Sequence, residues 1–432
     1  MDPDPALSTA RQLPDRVQRR MPAVVALTAA LVLGNAYVVM WAALPRGPFN
    51  TWLAPSDLWG TYLASVQLVH GQLSPAYAAY PGILLIFAPA AVIGSIFNLE
   101  VGPNFAAFAA PTGWVLMGPL EIALASVAVF ACDAVAETFG VPRSRRFVLA
   151  LAEAAVLSSL TIKWGHPEDA LAVGLVIYAA LEASTGRWRR SGWLLGVAIV
   201  VQPLALVAIP ALATAAAVAR PRRQIGPMLG RTVVPGLVVL VPALIADWGQ
   251  LSYWLLHQPN YPAYNHTTPF TSISPVILYQ GFYAVSGGPA RMVAVGLSVV
   301  IGVLMCRHRP SLQRLLFVLA LVFFVRVIFE SVLDAYYTWP VLALALVLAA
   351  RTTWLRFGAA VAVSLFATWF SNLFWIGVWP WWGIMMGVLA VLVALCWPGP
   401  EPVAAGPEDQ VGSGTGPPAQ PADQPRYETE PA

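Results

Sequence analysis

Charge is what this sequence has least of. Only 10% of its 432 residues are Asp, Glu, Lys or Arg, against about a quarter in a soluble domain, which excludes an ordinary soluble fold. Lysine is nearly missing: Lys163 is the only one, and every other cation is arginine. The net charge of +3 is small and scattered, so no basic stripe is available to hold nucleic acid. Cysteine is scarce as well. Cys132, Cys306 and Cys396 stand far apart, each in or beside an apolar run, and form no C-x-x-C pair of the kind metal and redox sites use. What remains is apolar. The chain is 58% hydrophobic with a mean hydropathy of +0.68, and its apolar runs are of membrane-crossing length, so the sequence reads as an all-α polytopic membrane protein.

Arginine clusters fix the expected topology. Arg11, Arg16, Arg19 and Arg20 precede an apolar run at about residues 22–44 that no cleavage site follows, which predicts an uncleaved first helix with a cytoplasmic N-terminus. Residues 45–111 then form an outer loop. Within it the apolar run 81–97 is long enough to cross, but crossing there would export Arg143, Arg145 and Arg146. Pro81, Gly82, Pro89 and Gly94 suit a bent interfacial or re-entrant helix instead. Crossings are expected at 112–136, 147–163 and 168–184. Residues 191–219 lie between Arg187, Arg189, Arg190 and Arg220, Arg222, Arg223, so both ends belong inside, and the run is read as a hairpin broken at Gln202-Pro203. Further crossings follow at 228–246, 290–305, 311–328, 339–350, 357–375 and 381–396. The expectation is a bundle of about 12 transmembrane helices, with a disordered cytoplasmic tail at 397–432 rich in Pro, Gly, Ala and acidic residues.

This topology collects titratable groups on the external face. Asp57 and His70 lie there, as do Lys163, His166, Glu168 and Asp169. The large outer loop 247–289 adds Asp247, His257, Tyr261, Tyr264, Asn265 and His266, and Arg326, Glu330, Asp334, Tyr336 and Tyr337 follow. Polar groups over apolar helices suit chemistry on a lipid-linked headgroup. Asp57 in Ser56-Asp57-Leu58-Trp59-Gly60 can act as a general base on an acceptor hydroxyl, or cap a helix starting at Leu58. In Trp164-Gly165-His166-Pro167-Glu168-Asp169 the proline and acids suit the first turn of a helix. Lys163 and His166 can then bind phosphate, although Lys163 can equally snorkel to the interface. His166, Glu168 and Asp169 are metal-ligand types without a metal-site spacing. Arg326 and Glu330 are spaced to pair along a helix, or Arg326 can grip a phosphate. Tyr336 and Tyr337 can stack on a sugar or belong to an interfacial aromatic belt.

The order of these features resembles a known family. One span, an outer loop with Asp57 in Ser-Asp-Leu context, and an apolar helix opening Tyr80-Pro81 are similar to the GT-C superfamily of polyprenyl-phosphate-sugar-dependent glycosyltransferases. The likeness is to its actinobacterial alpha-mannosyltransferase branch, of the phosphatidylinositol mannoside pathway. It continues in Ser191-Gly192-Trp193-Leu194-Leu195-Gly196-Val197-Ala198 with Gln202-Pro203, in Tyr264-Asn265-His266-Thr267, and in Tyr336-Tyr337-Thr338-Trp339-Pro340. The resemblance implies a GT-C-like bundle and external transfer of a hexose, mannose in that branch, to a lipid or glycan acceptor. It makes Asp57 the base. The donor would be a polyprenyl phosphate sugar and no cofactor is implied, with a divalent metal left open. Membrane lipids would be the surroundings. The sequence departs from the family in Tyr80-Pro81-Gly82 for Tyr-Pro-Pro, in Gln202 for a lysine, in Tyr336-Tyr337 for a His pair, and in Gly-His-Pro-Glu-Asp for Gly-Gln-x-Asn. A transporter or flippase of lipid-linked sugars, and a non-catalytic membrane scaffold, are the alternative readings.

Overall fold

Prolines and glycines cut the apolar runs into helices. A computed structural model describes residues 20–25, 27, 56–72, 81–97, 111–219, 221–257, 267–279, 282–308, 310–371 and 377–398. Of the expected first span, residues 21–25 and 27 are helical and the rest lies outside the described residues, as does the tail from 399 onward. Every element named below belongs to the unit Met1–Trp397.

The helices are α1 (Ser56–Val69), α2 (Pro81–Ile96), α3 (Pro111–Thr138), α4 (Arg143–Ser158), α5 (Pro167–Ser184), α6 (Trp188–Val201) and α7 (Ile209–Ala219). They continue with α8 (Pro221–Ala246), α9 (Trp248–His257), α10 (Gly288–Cys306), α11 (Leu312–Ile328), α12 (Trp339–Ala349), α13 (Trp354–Phe370) and α14 (Val378–Leu395). A π-helical turn, Ser159–Trp164, extends α4, and 3-10 turns at Pro203–Ala208 and Ala335–Thr338 lead into α7 and α12. This is a helical protein of the membrane type. Pro119–Thr138, Gln224–Ala246, Gly288–Cys306 and Val378–Leu395 are long and apolar enough to cross a bilayer by length and composition. The α2 helix has 16 residues, with Gly82, Ile83, Leu84, Phe87, Ala90, Ala91 and Gly94 buried and Leu85, Val92, Ile93 and Ile96 exposed.

One element departs from an all-α expectation. Strands β1 (Val276–Tyr279) and β2 (Phe282–Val285) pair antiparallel with Leu278 opposite Tyr283. The reason is local: Val276, Ile277, Tyr279, Phe282, Tyr283 and Val285 are branched or aromatic residues, which fit a pleated strand.

Small residues set the helix packing, as in membrane bundles, where close backbone approach replaces a hydrophobic drive between helices. A Cβ on Gly192 would lie 2.3 Å from the Met228 carbonyl oxygen, and one on Gly196 would lie 2.5 Å from that of Thr232. Residues later in α6 thus meet residues later in α8, and the two helices run in the same direction. The chain therefore doubles back between them. The α6 helix ends at Val201, Gln202 is extended (φ −151°, ψ 111°), and Pro203 opens the 3-10 turn, which is the break expected at that dipeptide. The α3–α5 pair follows the same rule, since a Cβ on Gly174 would sit 2.9 Å from the Ala128 backbone nitrogen. At the centre lies α12, buried at every residue and packed on α3, α4, α5, α11, α13 and α14.

Candidate functional site

Two clusters of charged side chains lie at opposite ends of the helices. At one, Arg146 donates from Nε and Nη2 to the two carboxylate oxygens of Asp133, at 2.7 Å each. Arg20 reaches Asp133 at 3.0 Å and Glu137 at 2.7 Å. Arg145 donates to the carbonyls of Ala350 and Thr352 at the end of α12. These contacts put the start of α4 beside the ends of α3 and α12.

The second end is built from the opposite termini of the same helices. The π-helical turn closes at Trp164, and Gly165 follows with φ +74°, a left-handed conformation that costs glycine nothing. The chain then enters α5 at Pro167, whose missing N–H is no loss at a helix start. Glu168 and Asp169 fall in the first turn, where the helix dipole favours them. Both are buried, 6% and 1% exposed, so each needs a partner from elsewhere. His166 Nδ1 lies 2.7 Å from Glu168 Oε1, and Gln202 Nε2 donates to Asp169 Oδ1 at 2.5 Å. The break after α6 is thus what delivers Gln202 to the site.

From the other side come α10, α11 and the turn before α12. Arg326, in the last turn of α11, pairs with Glu330 at 2.9 Å, and Arg291 of α10 reaches the other Glu330 oxygen at 2.9 Å. The Arg326–Glu330 pair forms although α11 stops at Ile328 and Phe329 caps it. Glu330 is 1% exposed. Burial favours its neutral acid, but Arg291 and Arg326 outweigh that and hold its pKa below the ordinary 4.5. The turn is stitched to the segment before β1, as Thr268 donates to the Glu330 carbonyl at 2.7 Å, Thr271 to that of Ser331 at 2.5 Å, and Thr267 bridges Val332.

Two tyrosines join the halves. Tyr336 stacks on His166 with ring centroids 3.9 Å apart and donates its hydroxyl to Asp334 at 3.1 Å. Trp164 tilts against the same ring at 5.8 Å. Tyr337 lies edge-on to Tyr336, under the Arg326 guanidinium at 4.9 Å. Burial, then Asp334 and Glu330, push its phenol well above its ordinary value.

Of the residues singled out from sequence, His166, Glu168, Asp169, Arg326, Tyr336 and Tyr337 come together here. His257 does not join them through its ring, which stacks on Tyr253 at 4.2 Å with Nδ1 2.8 Å from the Tyr253 carbonyl. His70 is exposed and sits 3.3 Å from the Ser95 hydroxyl. Asn265, His266, Tyr261 and Tyr264 lie outside the described residues, as do the side chains of Asp57 and Lys163. The backbone is helical from Ser56, which puts Asp57 in the first turn of α1, and α1 packs on the π-helical turn that carries Lys163. Among the described residues no group of three His, Cys, Asp or Glu is arranged to hold a metal ion.

Three members of the site escaped the sequence reading. Gln202 registered only as a break and a departure from a family pattern. Arg291 stood alone after a long loop. Glu121 is 1% exposed with neither carboxylate oxygen hydrogen-bonded among the described residues, close enough to Glu168 and His166 to feel their charges. Its signal was available: it is the only charged residue between 111 and 132, and an ionisable group in such a run marks function by default. No protein-family model matches the chain, and no characterised protein matches it.

Proposed function

We propose that this chain is a membrane-embedded glycosyltransferase with a GT-C-like bundle of about 12 spans. It moves a hexose, mannose by the family resemblance, from a polyprenyl phosphate donor to a lipid or glycan acceptor. The single observation that carries the reading is the gathering of His166, Glu168, Asp169, Gln202, Arg326 and Tyr336 at one end of the bundle, away from the Arg145–Arg146 end. Carboxylates and a glutamine accept and donate to sugar hydroxyls, stacked aromatic rings cover a sugar face, and Arg326 supplies charge for a phosphate. The positive-inside pattern assigns this end to the external face, with both termini cytoplasmic in the cell membrane.

In this reading Asp57 takes the proton from the acceptor hydroxyl. The acceptor oxygen bonds to the anomeric carbon from the face opposite the phosphate. The carbon–oxygen bond to phosphate breaks, and its electron pair leaves with polyprenyl phosphate. The test is Asp57→Asn in reconstituted membranes with a polyprenyl phosphate sugar. Loss of product at unchanged expression is expected, and full retained transfer sinks the assignment.

A second reading, a transporter of lipid-linked sugars, draws on the buried acids Glu121 and Glu153 within the bundle, since carboxyl groups at such depth serve carriers. Flux of a labelled lipid-linked sugar without covalent product would favour it.

A further inference from the structure

The α3 and α5 helices run parallel and in register. Gly174 abuts Ala128, and Tyr178 feels the charge of Asp133 further along both helices. Glu121 lies seven residues before Ala128 and Glu168 six before Gly174, about two turns in each case. The two carboxyl groups therefore stand at one level of the helix pair. Among the described residues Glu121 has no hydrogen bond to either oxygen, and Glu168 uses Oε1 on His166 while Oε2 has none. These oxygens are buried. A carboxylate left so, away from water, is among the costliest groups a fold can hold.

We infer that Glu121, Glu168 and His166 form a buried proton-binding site, in which one exchangeable proton is held between the two carboxyl groups. In the exchange the O–H bond of Glu121 breaks as a bond to Glu168 or the imidazole forms, so the site's charge changes only when a proton enters or leaves through His166. The neighbours bear this out. The π-helical turn packed on α3 brings Lys163, α5 adds Asp169, which Gln202 occupies, and α11, packed on α5, adds Arg326, which pairs with Glu330. The α2 and α12 helices bring no charged residue, and Glu153 of α4 sits beside Cys132, about three turns along α3. The remaining charges near α3, from Arg20, Arg146, Asp133 and Glu137, are engaged with one another at the other end. The inference is independent of glycosyl transfer, because its ligand is the proton and its readout is a vibration.

The experiment is infrared difference spectroscopy of the full chain in detergent between roughly pH 5 and roughly pH 8, the range in which histidine changes charge. The expected result is a protonated-carboxyl band in the wild type that is missing in Glu121→Gln and moves in midpoint in Glu168→Gln and His166→Asn. Glu153 serves as the control, its band disappearing in Glu153→Gln and staying put in Glu168→Gln. A carboxyl band set unchanged by Glu121→Gln overturns the inference. If that variant does not fold, an unmoved band in Glu168→Gln overturns it equally.

Discussion

The ring of Tyr336 lies 3.9 Å from that of His166, nearly parallel to it at 28°, and this stack joins the start of α5 to the turn before α12. Each ring is fixed from behind, His166 by Glu168 and Tyr336 by Asp334. The stack therefore sets the distance between the acid-rich and arginine-rich halves of the site. Tyr336→Phe keeps the stack and loses one hydrogen bond, so turnover should fall about fivefold, the equivalent of about 1 kcal/mol. Tyr336→Ala removes the spacer and should cost about a hundredfold or more through misplacement alone. Steady-state transfer rates for the two variants decide it; equal losses would mean that the hydroxyl and not the ring matters.

Glu330 holds Arg291 and Arg326 together while its backbone carbonyl holds Thr268. Glu330→Ala should destabilise the chain by about 3–5 kcal/mol, because it strands two largely buried guanidinium groups. The pH dependence has a definite sign. The folded pKa is below the ordinary 4.5, so the stabilisation is complete above that value and is lost as the pH falls through the lower, folded one. Unfolding midpoints in detergent should drop on acidification below about pH 4.5 in the wild type, and this part of the drop should be missing in Glu330→Ala.

Much of the fold was legible because proline, glycine and arginine act locally. Pro167, Pro203 and Pro221 begin helical segments, and the arginine clusters mark helix ends. The paired acids Glu168 and Asp169 were legible as helix-start residues, and that account is correct but incomplete. It gave no warning that both are buried, since burial comes from α11, α12 and the returning α7 hairpin, distant in sequence. Gln202 and Arg291 were invisible for the same reason: their roles exist only once the chain has doubled back and Arg291 faces Glu330. The β-hairpin was missed because four-residue strands carry too few residues to show a period against apolar surroundings.

The glycine contacts give a prediction with its own control. On α6 a methyl group at Gly196 would meet the Thr232 carbonyl at 2.5 Å, and on α5 one at Gly174 would meet the Ala128 nitrogen at 2.9 Å. In both cases the obstacle is backbone, which cannot swing aside as a flexible side chain can. Gly230 and Gly236 of α8 face open space, with nothing within 4 Å. Gly196→Ala and Gly174→Ala should therefore destabilise by about 1–3 kcal/mol, the usual range for overpacking. Gly230→Ala and Gly236→Ala should be neutral or stabilise by about 0.5–1 kcal/mol, because alanine is the better helix former. The chain's 17 tryptophans supply an intrinsic fluorescence signal for melting curves in detergent. Equal midpoints across the four variants would mean that α6 can slide away from α8, and α5 from α3, at no cost. In that event Gln202, which α6 carries at its end, would not be held rigidly against Asp169.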